Sequence, residues 1–350
     1  MPSPTQQQAV ISRQISHGEW TERQTTICGQ DAVSEQFGSA TQCDVFGVSD
    51  RIFAAERALQ AAGVAARLTG VISGAGADGG IQIGSMEGLP TVPICVNGRV
   101  MGQTFEDASA KYCLLGGLYP SDLTASPSAQ AEEVFGMIER ALAGAGMDFR
   151  QVVRTWFYND DILAWYAGFN RVRTAFFKEH GVTLMPASTG IGAPNIVGAA
   201  LVAKVIAVLP KTSALQVRKA ESPLQCDAFD YGSAFSRAIE VAGPHVRKLY
   251  ISGTASIEPG GKTVHVGNAS LQIAKTMEVV EAILHKAGMG LGDTTRAIAY
   301  FRHPEHIALW RDFCRTKPLK EFPVIEVGCT ICRDDLLFEI ELDAARETEG

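Results

Sequence analysis

Two periods run through the apolar positions of this chain. Helical spacing marks Arg51–Leu68, which is rich in alanine, and residues 128–146. It also marks Ile162–His180, with Trp165, Phe169 and Phe176 on one face, residues 269–288, and Pro304–Cys314. Ser126–Pro127 stands ahead of the second of these, the order of a cap followed by proline in the first turn. Strand-like runs fall at Tyr112–Tyr119, which turns at Gly116–Gly117, and at residues 151–158 and Val197–Leu209. Three more follow at Lys248–Ile257, Thr294–Arg302 and Leu336–Leu342. Residues 1–40 are rich in Gln, Ser and Thr with weak periodicity, which predicts a partly loose N-terminal extension. Gly70–Gly88 reads as a glycine-rich stretch, and residues 211–225, with Pro223, as a joint.

The chain contains a copy of itself. Residues 128–159 align without a gap on residues 270–301, and nine of those 32 positions are identical. The pairs include Gln130/Gln272, Gly146/Gly288, Arg154/Arg296 and Tyr158/Tyr300. Each copy is a helix ending in Ala-Gly-Met and then a strand. The order strand, helix, strand, helix, strand occurs twice, so the expected class is α+β, with helices on one face of each sheet. The division expected is 1–40 as extension, 41–213 as a first unit and 222–345 as a second.

Composition narrows the function classes. Of 350 residues 46% are apolar, ample for sizeable cores, and the net charge of −7 disfavours a nucleic-acid surface. The most apolar stretch, Val197–Pro210, carries Lys204 and is too short to span a bilayer, so no membrane partner is expected. The first residues, MPSPTQQQ, have no apolar signal core, and the eight cysteines are scattered. Both points favour a cytoplasmic protein with reduced thiols.

The copies differ in their closing strands. ALVAKVIAVL (200–209) is apolar apart from Lys204, whereas DDLLFEIELD (334–343) carries Glu339 and Glu341 on one strand face. Pattern alone allows both to face solvent. Other signals are weaker. GAGADG (74–79) fits a dinucleotide-type glycine pattern but no helix follows it, so a mobile loop is the better reading. Cys329-x-x-Cys332 and His303-x-x-His306 lack the further ligands a metal site needs, and no metal is expected. Tyr231, Phe235, Trp156 and Tyr158 are candidate core or pocket walls.

FSRAIEV (235–241), LYISGTASI (249–257), Gln272 with the Ala-Gly-Met helix end, TRAIAYF (295–301) and LLFEIELDA (336–344) resemble a RidA/YjgF-type domain over nearly all of 222–345. RTWFYNDDI (154–162), FNRVR (169–173), PASTGIG (186–192), YGSAFSRA (231–238) and CRDDLLFEIE (332–341) make the whole chain resemble the tandem branch of that superfamily, that of the chorismatases. The resemblance implies two tandem YjgF/chorismate-mutase-like units, the first degenerate, and by analogy a homotrimer with clefts between subunits. It also implies a cofactor-free enzyme that releases pyruvate from chorismate or a related carboxylated enol ether, as in 3-hydroxybenzoate synthases.

Glu339 matches the family's general acid. Cys332 resembles the benzoate-forming group and Ala255 the diene-forming group, so no product follows. Gly253 and Thr254 would donate hydrogen bonds, and Tyr231, Arg237, Arg333 and Glu341 complete the expected substrate site. SPLQCDAFDYGSAFSRA (222–238) lacks the extra arginines of the family, and FPVIEVGCTIC (322–332) has none. Arg237, Arg333 or Arg154 would then have to supply charge for a carboxylate. Two alternatives stay open: a Rid-type imine or enamine hydrolase, and a non-catalytic small-ligand-binding member.

Overall fold

A computed structural model describes residues 9–29, 35–64, 66–226, 234–317 and 321–348. It is α+β, and its described residues form three sheets. The second sheet is built from β6 (Val92–Val96), β7 (Arg99–Glu106), β8 (Ala110–Leu118), β9 (Val152–Asn159), β10 (Ala187–Gly192) and β11 (Leu201–Pro210). Its strand order is β6-β7-β8-β11-β9-β10. Helices α2 (Pro127–Gly144) and α3 (Ile162–Glu179) belong to this unit.

The third sheet repeats that order with β12 (Gln216–Ala220), β13 (Ala238–Ala242), β14 (Val246–Ala255), β15 (Thr294–Phe301), β16 (Val324–Gly328) and β17 (Phe338–Glu347). It reads β12-β13-β14-β17-β15-β16, with α4 (Ala269–Lys286) and α5 (Ile307–Thr316) as its helices.

The repeated residues have repeated jobs. Gly146 and Gly288 follow their helices with φ of 70° and 71°, the left-handed geometry that ends a helix most cheaply in glycine. Gln130 accepts a hydrogen bond from Ala200 N at 2.8 Å, and Gln272 accepts one from Leu337 N at 2.8 Å. Each glutamine ties the start of its helix to the entry of the closing strand. Ser126 caps α2, accepting from Ala129 N, with Pro127 behind it as predicted.

The N-terminal quarter differs from the expectation. Ala9–Ser16 (β1) and Thr21–Cys28 (β2), expected within a loose extension, pair antiparallel along their whole length. With β3 (Ala40–Gly47), β4 (Leu68–Ile72) and β5 (Gly80–Glu87) they make a sheet ordered β1-β2-β5-β3-β4, packed on α1 (Ser49–Ala61). This is the same topology again, without the outermost strand and the first helix. The glycine-rich stretch 70–88 is therefore mostly strand. The segment 74–79 is pinned rather than loose: Gly74 N donates to Gly328 O at 2.7 Å, and Arg51 Nη1 to Asp78 O at 2.8 Å. The joint expected at 211–225 contains β12, an edge strand of the third sheet.

The three sheets close into a ring. β4 packs on β8, β10 on β14 and β16 on β2. Where these strands end, Ile72 N donates to Pro194 O (2.9 Å), Gly192 N to Thr330 O (2.7 Å) and Gly74 N to Gly328 O. Helices lie outside, those of each sheet over one apolar cluster, and Phe46, Tyr158 and Tyr300 meet in a shared central one. Strand pairing makes these three residues equivalent, because Phe46 lies opposite Gly80, Tyr158 opposite Val202 and Tyr300 opposite Glu339. No helix of the described residues is long and apolar enough to cross a membrane.

Candidate active site between the second and third sheets

The seam between β10 and β14 holds a cleft with about 550 Å³ of open space. Ser188 N donates to Ser252 Oγ at 2.8 Å, and Gly253 N donates to Thr189 Oγ1 at 3.1 Å, so side-chain hydroxyls lace the two units together. Glu339, near the start of β17, points into this seam and is 5% exposed. The backbone at Gly253 comes so close that a Cβ there would sit 2.0 Å from Glu339 Oε1. Tyr166 and Arg173 of α3 form one wall; Arg237, Ala255, Cys332 and Arg333 form the other.

Electrostatics divide the two glutamates. Glu341 is fully buried and accepts from Arg154 Nη2 at 2.7 Å, Trp156 Nε1 at 2.8 Å, Arg296 Nη2 at 2.9 Å and the Thr189 hydroxyl. Burial alone would raise its carboxyl, but Arg154 and Arg296 override that and hold it below the usual carboxylate range. Glu339 has no such clamp. Burial first, and then the charge of Glu341, push its carboxyl from 4.5 up to about 8, against the pull of Arg237, Arg154 and Arg333. At neutral pH this leaves a carboxylic acid beside a fixed carboxylate, the division of labour seen when an acid is prepared for proton donation. Cys332 is pushed up to about 12 by burial and then by Glu339, so it is a neutral thiol.

Several expectations are corrected by this geometry. Glu339 and Glu341 do not face solvent; both are inside the ring. Glu341 is an anchor of the interior network rather than part of the cleft wall. Thr254 is fully buried and donates to Ser252 O at 2.8 Å, away from the cleft. Arg154, offered as a source of charge for a carboxylate, is consumed by Glu341. Trp156 and Tyr158, candidates for core or pocket wall, are core, in keeping with the first of those readings. Tyr231 lies outside the described residues. Glu339, Gly253, Ala255, Cys332, Arg237 and Arg333 do converge.

Arg173 is the residue that sequence reasoning passed over. It is buried on α3, with its guanidinium 5.8 Å from the Phe235 ring and 5.2 Å from the Phe169 ring. The signal available was its position in FNRVR, on the cleft side of an otherwise aromatic helix. Among the described residues no three His, Cys, Asp or Glu side chains are grouped to hold a metal.

Comparison with known proteins agrees with this picture at the level of family and fold. Residues 114–209 match the profile of the family described as Endoribonuclease L-PSP, the RidA/YjgF type. The match falls on the first of the two repeated units, the one expected to be the more degenerate. Residues 114–209 thus carry a domain of the RidA/YjgF type.

Within that class it resembles the chorismatases. It is 27% identical over 225 residues to a 3-hydroxybenzoate synthase of Streptomyces hygroscopicus, covering 55% of this chain and 63% of that protein. It is 27% identical over 215 residues to a chorismatase of the same organism, covering 54% and 60%. The chain therefore matches about three-fifths of the length of these relatives. A chorismatase crystal structure superposes with a TM-score of 0.66 at 19% identity, covering 96% of this chain and 98% of that one, which shows a shared fold.

Proposed function

We propose that this protein is a cofactor-free, chorismatase-like enzyme that releases pyruvate from chorismate or a related carboxylated enol ether. One feature supports the reading: the buried carboxyl of Glu339, pushed toward its neutral form by burial and by Glu341, in a cleft that Arg173, Arg237 and Arg333 also line. An enol ether is inert to water until its methylene carbon is protonated. Glu339 delivers that proton to carbon, the methylene becomes a methyl group, and the ether carbon becomes an oxocarbenium ion. The Glu339 carboxylate formed at that moment sits opposite the new cation, and the arginines hold the carboxylates of the substrate. Water adds to the cationic carbon and gives up its proton, and the resulting hemiketal collapses to pyruvate and the freed alcohol. Cys332 and Ala255 line the wall where the ring of the substrate would lie, so they shape the product.

The test is pyruvate release from chorismate by the purified protein beside Glu339→Gln. Loss of the acid should cost roughly 10²–10⁴-fold in rate. Absence of release by the folded wild-type protein sinks the reading, and ammonia release from unstable imines would then favour the Rid-type hydrolase.

A further inference from the structure

The ring has three seams, and strand register makes their positions comparable. In the seam between the first and second sheets, Thr69 Oγ1 accepts from Gly117 N at 3.0 Å, the counterpart of Thr189 and Gly253. Parallel pairing sets Val71 opposite Phe46 and Ile191 opposite Tyr158, so Leu68 and Gly70 stand where Ser188 and Gly190 stand. Antiparallel pairing sets Leu118 opposite Ala203 and Thr254 opposite Ile340, so Tyr119 replaces Ala255. Val202 replaces Glu339. Both seams contain a cleft lined by these very positions, and the first-to-second one has about 990 Å³ of open space.

The remaining seam has gone another way. There Glu326 occupies the glycine position of the other two, opposite Ala299 as Gly190 is opposite Phe157. Arg311 of α5 donates to it at 3.0 Å and also reaches Asp78 at 3.2 Å. Gly80 stands at the acid's position, against Ile325. Ion pairs and an isoleucine thus occupy this seam, while the first-to-second seam has lost its acid and kept its space. A cleft of this kind, flanked by apolar side chains and a few polar groups where the third seam is filled, is the form a small-molecule site takes.

The walls describe that occupant. Leu59, Leu68 and Val202 are apolar, and Tyr119 adds an aromatic face with Arg67 at 5.5 Å and Arg99 at 4.6 Å from its centroid. Arg67 also donates to Gly117 O at 3.1 Å, which fixes its guanidinium at the cleft. Among the described residues neither arginine is in an ion pair. Glu56, on the helix wall, offers an acceptor.

We propose that this cleft is a second, non-catalytic binding site for a hydroxylated aromatic acid. The ring lies against Tyr119, the carboxylate pairs with Arg67, and the ring hydroxyl donates to Glu56. With valine at the acid's position the site binds without turning over. The inference stands on the walls of the cleft and not on chemistry at Glu339.

The test is calorimetric titration of the full chain with 3-hydroxybenzoate, with benzoate and phenol as controls. The wild-type protein should bind the hydroxy acid at this cleft more tightly than either control. Arg67→Gln and Tyr119→Ala should each weaken that binding about tenfold or more, and Arg237→Gln should leave it in place. Hydrogen exchange on the wild-type chain, which needs no variant to fold, should show protection at 66–70 and 117–119 when the probe is added. Binding indifferent to Arg67 and Tyr119, binding lost with Arg237, absence of binding, or protection only around 253–257 would each overturn the proposal.

Discussion

At the scale of the residue, one proton decides the chemistry proposed for the cleft. Glu339 binds its proton more tightly in the fold, at about 8, than at its ordinary value of 4.5. Between those two values the folded state therefore carries more protons than the unfolded chain, and stability falls as pH rises. The contribution is fully present below 4.5 and is lost as pH passes about 8; its full size is of order 5 kcal/mol, as an upper bound. Glu339→Gln removes this slope. Thermal melts should show the variant gaining on the wild type between about pH 5 and about pH 9. If the difference stays constant, Glu339 is an ordinary carboxylate. The rate of the wild-type enzyme should fall above about pH 8 for the same reason. The acidic pair was legible in the sequence, because charge on alternate positions of a strand stands out. Which glutamate is clamped was not, since Arg154 and Thr189, two members of the clamp beside Arg296, lie more than 150 residues upstream.

At the scale of the element, the close approach of β14 and β17 places the acid. Gly253 has no room for a side chain because Glu339 fills the space a Cβ would take. Gly253→Ala should therefore leave the protein folded yet displace the carboxyl, and pyruvate release should drop by about tenfold or more while the melt shifts by only a few degrees. Retained activity would show that Glu339 works from another position. Helices were legible from apolar spacing and from the Ala-Gly-Met ends, where a left-handed glycine is required in both copies. The sequence register of the closing strands was less so. Ungapped comparison put Lys204 near Phe338, whereas backbone pairing puts it at Glu341, where it meets Asp44 at 2.5 Å.

At the scale of the whole molecule, the sequence reading found two units where the described residues form three sheets. The first sheet shares topology with the others without sharing their sequence. It has no counterpart of α2 and α4, the helices that carried the recognisable repeat, and its strands β1 and β2 are polar on their outer face. A homotrimer was expected because clefts of this kind lie between three units, and here one chain supplies three. Light scattering should accordingly report a mass near 37.4 kDa. A value about three times larger would show that whole rings associate further.

In the proposed mechanism Glu339 gives its proton to carbon. Turnover of chorismate in heavy water tests it most directly, with mass spectrometry of the pyruvate formed. Each pyruvate should carry one deuterium in its methyl group, and release should be lost in Glu339→Gln. Pyruvate without methyl deuterium, or release undiminished by the substitution, would contradict it.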